Sequence, residues 1–463
     1  SQGSPVYDPD FTSRRRRGRA QPGINLSRFM PSHYDIIIIG AGPGGYETAA
    51  GAASRGLKVM LVERAALGGT CLNHGCIPTK CLCSAAEKLV EIKHASDFGV
   101  KAELVSADYA VAVRRAADVM TELRDGIAGL LDGVDVLTGE ASIADGPAVV
   151  VNGERYTADK IIIATGSKPA KLRCKGAEEA IDSNEFLKLE HLPGRLTIVG
   201  GGVIGLEFAS IAAAYGSEVT VLEYCPEILP NFDADIAKRL RSYLGRRGIE
   251  IVTGAEVTEI KADKSVVYTR KGKEKSVDGD MVLSAAGRRP VIPNGCEAVG
   301  IAFDRRGFIV TDETMQTSVA CIYAIGDVNG RCLLAHAASA QGRIVLGEKP
   351  RLDIMPSVVF TIPECASVSK ASDSTASVKL PYGANGKALA SGQADGLLKI
   401  EYEPSTGIVT GCHVVGAHAA DLVAVVSIAI SSSMTMRQLA AETIFAHPTL
   451  SELIAQAAAC VRT

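Results

Sequence analysis

Two stretches of the chain carry the same hydrophobic pattern. In HYDIIIIGAGPGGYETAAGAASRGLKVMLVER a continuous apolar run, a glycine-punctuated turn, a helix of small residues and a second apolar run follow one another, and Glu63 closes the last. GRLTIVGGGVIGLEFASIAAAYGSEVTVLEY repeats the order and closes on Glu223. Unbroken runs of Ile and Val predict strands covered on both faces, as in parallel sheets flanked by helices. The pattern predicts an α/β chain built on two doubly wound units.

The glycines give those units a chemistry. Gly40, Gly42 and Gly45 in the first, and Gly200, Gly202 and Gly205 in the second, keep the GxGxxG spacing between strand and helix. The first glycine permits the tight turn, the second lets a pyrophosphate approach the backbone, the third allows close helix packing, and the helix N-terminus attracts phosphate. Glu63 and Glu223 stand where a ribose would be bound. Glu223 would repel a 2′-phosphate and no arginine follows it in EYCPEILP, so NAD is expected there rather than NADP.

Between the units, GGTCLNHGCIPTK places Cys71 and Cys76 with four residues between them. A regular helix would hold such a pair about 8 to 9 Å apart at Cα, whereas a disulfide needs less than about 7 Å. A bonded pair therefore requires a distorted backbone or a first cysteine ahead of the helix, and Gly75 supplies the freedom. Pro78 suits the first turn of the helix expected over CIPTKCLCSAAEKLVEI, and a helix start lowers a nearby thiol pKa, which favours Cys76 as the thiolate. Two buried free cysteines are the plain alternative. A disulfide here must exchange electrons with whatever the first unit holds. A flavin accepts hydride and passes two electrons to sulfur, so FAD is expected at the first unit and the nicotinamide at the second.

Composition narrows the field further. A length of 463 residues implies two to four domains, and the Ala- and Gly-rich, Trp-free chain reads as α/β. A net charge of −3 with no basic stripe in the body lacks a nucleic-acid footprint. No apolar run reaches membrane-spanning length. Twelve scattered cysteines suit reduced thiols in a reducing compartment with one redox pair, and no histidines are spaced as metal ligands. Residues 1–29 carry Arg14 to Arg17 and Arg19 without periodicity. They read as a disordered arm: an expression remnant first, otherwise a tethering tail or targeting segment.

Together with these stretches, IIIATGSKP, AAGRRP, CIYAIGDVNGRCLLAHAASAQG, PSVVFTIPE and AHPTLSE make the chain from Met30 onward resemble the flavin-dependent pyridine nucleotide-disulfide oxidoreductases. It is most similar to the branch that oxidises dihydrolipoyl groups with NAD. The resemblance implies two Rossmann-like domains for FAD and NAD plus a C-terminal α+β dimerisation domain: 30–185 for FAD, 186–286 for NAD, 287–352 completing the FAD site and 353–463 as the interface. It implies that Asp327 contacts the flavin side chain; a cap for the following helix is the plain alternative, and both can hold at once. Ala164, Thr165 and Gly166 would form the turn leaving the flavin domain. Gly69, Thr70, Gly287, Gly326, Ala335 and His336 fall in the same cofactor-contacting motifs. Lys80 and Glu207 match a family pair beside flavin and nicotinamide, a bland surface ion pair being the alternative.

His447 in AHPTLSE, with Glu452 to orient it, is the expected base for a dithiol substrate. The resemblance makes it serve the other subunit of an obligate homodimer, and implies a cis His447–Pro448 bond that sequence does not decide. The implied partners are lipoyl domains and the acyltransferase core of 2-oxo acid dehydrogenase complexes, or the lipoyl carrier of glycine cleavage. The implied location is the cytoplasm, or the mitochondrial matrix in a eukaryote. Two departures stand out: SVSKASDSTASVKLPYGANGK is short, so an interface helix is expected to be truncated or lost, and Phe445 replaces a usual histidine. A glutathione-type reductase would have arginines after the second unit, and a mercuric reductase paired C-terminal cysteines where this chain has only Cys460. A non-catalytic complex subunit would have lost part of the set Cys71, Cys76, His447 and Glu452, all of which are present.

Overall fold

The structure, a computed structural model, describes residues 32–461, so the arginine arm lies outside it. The IIII run of His33–Ile39 is buried at the centre of the first sheet, parallel to Val59–Glu63 on one side and Glu154–Ile163 on the other. Asp135–Thr138 extends that sheet, and Ala148–Val151 with Ala141–Ala144 complete its far edge. The segment 287–352 returns the strand Ile322–Ala324 to the same sheet beside Glu154–Ile163.

The second unit forms a separate parallel sheet in the order Ile249–Thr253, Glu218–Glu223, Arg195–Val199, Met281–Ser284. A three-stranded antiparallel sheet, Glu256–Ile260, Val266–Arg270 and Lys273–Val277, flanks it. The two units are joined by a short ladder in which Ser167–Pro169 pairs Arg288–Pro290. Both glycine turns are built alike. Gly40 and Gly200 have φ of +102° and +118°, and a side chain at either would strike the backbone carbonyl of Ala164 or Ala285, so only glycine fits.

The C-terminal segment is α+β, as expected. A five-stranded antiparallel sheet, ordered Ser357–Val359, Cys365–Ser369, Val409–Val415, Leu397–Tyr402, Ala376–Pro381, packs under the helices Ala419–Ser431 and Glu452–Ala459. Between Ser369 and Ala376 the chain crosses as residues 370–375 without a helix. Phe445 packs at the edge of this core. The fold also assembles one group the sequence spacing had hidden: His413, Glu401 and Asp233 come together from separate segments, with the ammonium of Lys399 2.6 Å from Asp233.

Candidate functional site

Gly75 breaks what would have been one helix. At φ −154° and ψ −111° it separates a short helix, Gly69–His74, from the long one, Cys76–Lys93. Cys71 thereby sits in the first and Cys76 at the first position of the second, which turns the two thiols toward each other. Both are thiols here. The Cys71 thiol donates a hydrogen bond to Cys76, and this contact lowers the Cys76 pKa to about 7 against the opposing effect of burial. The Lys80 charge and the helix N-terminus assist. The same contact pushes Cys71 far up, so Cys76 is the thiolate of the pair.

Lys80, one turn along the helix, donates to both carboxylate oxygens of Glu207 at 3.0 and 2.9 Å. Glu207 is 3 % exposed and belongs to the second unit's helix, so this pair is internal and the surface reading fails. The Phe360 N–H gives Glu207 a further hydrogen bond at 2.9 Å, and the Phe360 ring lies 4.7 Å from the ammonium. Burial alone would lower the Lys80 pKa, but Glu207 outweighs it and the net shift is upward.

Cys71, Cys76, Lys80 and Glu207 line one cavity of about 1150 Å³ that runs between the two glycine turns. Single small-molecule sites are about 300 to 1,000 Å³, so the space suits two dinucleotides. Gly40, Gly42, Glu63, Gly69, Thr70, Ala164, Thr165 and Gly166 line its first half with Gly287, Gly326, Asp327 and Ala335. Gly200, Gly202 and Glu223 line the second, and the cysteines, Lys80 and Glu207 stand between. Several observations fit dinucleotides. No neighbour stands within 4 Å of where a side chain on Gly202 would begin, and near Gly42 only one backbone atom at 4.0 Å, so both turns open on free space. Glu63 takes the N–H groups of Ala41 and Ala65, both at 2.8 Å. Glu223 likewise takes those of Gly201 and Cys225, at 2.5 and 2.6 Å. Each carboxylate is thus fixed beside its glycine turn with lone pairs left for a ribose. Asn184 Oδ1, on the same wall, is buried without a partner and offers an acceptor to a ligand N–H.

Some expected residues stand elsewhere. Gly45 and Gly205 are not in the wall; they let each helix start pack against its own turn's carbonyl. His336 is turned away, its Nε2 2.9 Å from the Pro356 carbonyl oxygen, because its helix directs Ala335 and Ala338 inward instead. Asp327 does not cap its helical turn. It accepts a hydrogen bond from Ser167 Oγ instead, and Arg288 is 3.8 Å away. Arg288 also donates to Ser167 Oγ at 2.7 Å, tying three segments together at the cavity. Ser167, Arg288 and Phe360 were not singled out from sequence, although each lies inside a quoted motif. His74 was also missed: it lines the cavity between the cysteines, with its pKa lowered by burial and then by Lys188.

His447 and Glu452 form the expected dyad, with Nδ1 to Oε1 at 3.0 Å. The Thr449 N–H, at 2.9 Å, and His447 both hold Glu452 below the usual carboxylate range. The His447–Pro448 bond is cis. The imidazole is 81 % exposed and does not line the cavity of its own chain.

The family model described as pyridine nucleotide-disulphide oxidoreductase matches residues 34–342, and that of the family's dimerisation domain matches 355–458. Dihydrolipoyl dehydrogenase of Geobacillus stearothermophilus is 40% identical, over 92% of this chain and 95% of its own length. That of Bacillus subtilis is 41% identical, over 93% and 96%. Among solved structures, LpdA from Mycobacterium tuberculosis superposes with a TM-score of 0.84 at 28% identity, covering 94% of this chain and 100% of its own. The HOCl-induced flavoprotein disulfide reductase RclA from Escherichia coli gives 0.81 at 29%, covering 93% and 100%.

Proposed function

The chain belongs to the pyridine nucleotide-disulphide oxidoreductases, and from that premise we propose that it works as a dihydrolipoyl dehydrogenase, oxidising protein-bound dihydrolipoyl groups to lipoyl with NAD as acceptor. The observation that carries this is the thiol pair beside Lys80, in the wall of one cavity that joins two dinucleotide turns. FAD and NAD are its cofactors. Bound FAD supplies a two-electron carrier between sulfur and nicotinamide.

The residues of the chain do the rest. In the oxidised enzyme Cys71 and Cys76 are bonded. A substrate thiolate attacks Cys71 and Cys76 leaves as thiolate, stabilised by Lys80 and the helix start. The second substrate thiolate then displaces Cys71, closing the lipoyl disulfide. Two electrons remain on the enzyme as the Cys71 thiol and the Cys76 thiolate for transfer to NAD: His447 accepts each substrate proton in turn, one is retained on Cys71 and leaves with the two electrons as the hydride, and the other is released to solvent. With Nδ1 facing Glu452, His447 accepts each proton at Nε2.

Because His447 points to solvent from its own chain, it serves the cavity of a second copy in a homodimer. Exposed Ile428 and Ile444 on the same domain support such an interface. The further partners are lipoyl domains of 2-oxo acid dehydrogenase complexes or the lipoyl carrier of glycine cleavage, in the cytoplasm. Among the described residues no helix is long and apolar enough to cross a membrane.

The test is NADH formation by the flavin-loaded protein with NAD and dihydrolipoamide, beside reduced glutathione and with NADP in place of NAD. Turnover confined to dihydrolipoamide with NAD is expected. Preference for glutathione or NADP would overturn the proposal.

A further inference from the structure

Between Glu223 and the helix Ala234–Arg246 the chain runs along the wall of the nucleotide cavity, which Pro230 and Asn231 help to line. This segment is strained and tightly seated. Leu229 is buried at φ +49°, a left-handed conformation disfavoured for a residue with a Cβ. Its N–H donates to the carbonyl of Gly201, inside the second glycine turn, at 3.1 Å. Ile228 packs beneath the same glycine, 3.1 Å from where a Gly201 side chain would begin. Such a conformation persists only where the surroundings over-determine it.

The far end of the segment is held from another domain. Asp233 caps the helix, accepting from the N–H groups of Asp235 and Ile236 at 3.1 and 3.2 Å. Its other oxygen takes the ammonium of Lys399 at 2.6 Å, and both side chains are only 12 % exposed. Lys399 comes from the C-terminal sheet, where Lys379, Lys399, His413 and Ser367 lie side by side in register on four adjacent strands. Glu401 stands 3.6 Å from Lys399 and 3.3 Å from His413. At the open end of the row, Lys379 pairs Asp235 at 2.8 Å, with the two side chains 47 % and 44 % exposed.

We propose that Lys399 is a positioning residue for NAD: by pinning Asp233 from the C-terminal domain, it holds the strained segment 228–232 against the glycine turn that receives the dinucleotide. This rests on the second unit being the NAD site. A solvated pair such as Lys379–Asp235 contributes little, whereas removing one member of the largely covered Lys399–Asp233 pair leaves the other charge uncompensated.

The experiment is calorimetric titration of NAD into the FAD-loaded protein. Lys399→Met is expected to weaken NAD binding roughly tenfold, within the range reported for residues that couple through packed networks, while flavin content stays at the wild-type level. Asp233→Asn with Lys399→Met removes both charges and keeps a capping side chain, and is expected to show the same loss. Lys379→Met is expected to bind as wild type. If the double variant folds, retains FAD and binds NAD like wild type, the tether plays no part in nucleotide binding and the proposal is overturned. A wild type that itself fails to bind NAD overturns instead the assignment of the second unit.

Discussion

Cys76 is held near neutrality by neighbours that each stabilise its thiolate: the Cys71 thiol, the Lys80 ammonium and the start of its own helix. The acid form is the neutral one, so a lowered pKa means that the thiolate fraction rises through about pH 7, where an ordinary thiol here would need about 9. Alkylation of the reduced enzyme by iodoacetamide should therefore show a midpoint about pH 7 at Cys76. In Lys80→Met that midpoint should move up, since a stabilising positive charge is gone; an unchanged midpoint would remove Lys80 from this role. His447→Ala should lose about a hundredfold or more of dihydrolipoamide turnover, yet reduce a dye with NADH at the wild-type rate. Equal loss of both activities would deny it the part of base.

The broken helix is the element on which the thiol pair depends. A Cβ at position 75 would stand 3.0 Å from the Thr70 carbonyl oxygen, so the backbone of the first helix would have to give way. Gly75→Ala should cost about 1 to 3 kcal/mol of unfolding free energy through this crowding, read by denaturant titration, and slow closure of the disulfide. This break was readable from the sequence because cysteine spacing and helix rise conflict locally. The glycine turns were readable for the same reason, since strand, turn and helix are contiguous. The Arg288–Ser167–Asp327 group was not, because its members are separated by 121 and 160 residues and meet only through tertiary pairing. His336 misled because helical phase, which sets its direction, turns it toward Pro356. Asp327 lines the cavity as expected, and only its capping alternative fails, because its carboxylate takes the nearer donor, Ser167.

In the whole molecule, the thiol pair and the base lie apart on one chain, and the reaction proposed here needs both at one substrate. The dyad at 447–452 was foreseen as a local pair that the resemblance assigns to another subunit; the packing of the C-terminal domain is what turns it away from its own cavity. The most direct test uses two inactive variants, Cys76→Ser and His447→Ala, differently tagged, co-expressed and purified as the mixed dimer with FAD bound. One composite site of that dimer keeps an intact thiol pair from one chain and an intact His447 from the other. The mixed dimer should regain NADH formation from dihydrolipoamide at about half the wild-type rate per dimer. A mixed dimer as inactive as its parents would contradict the shared site.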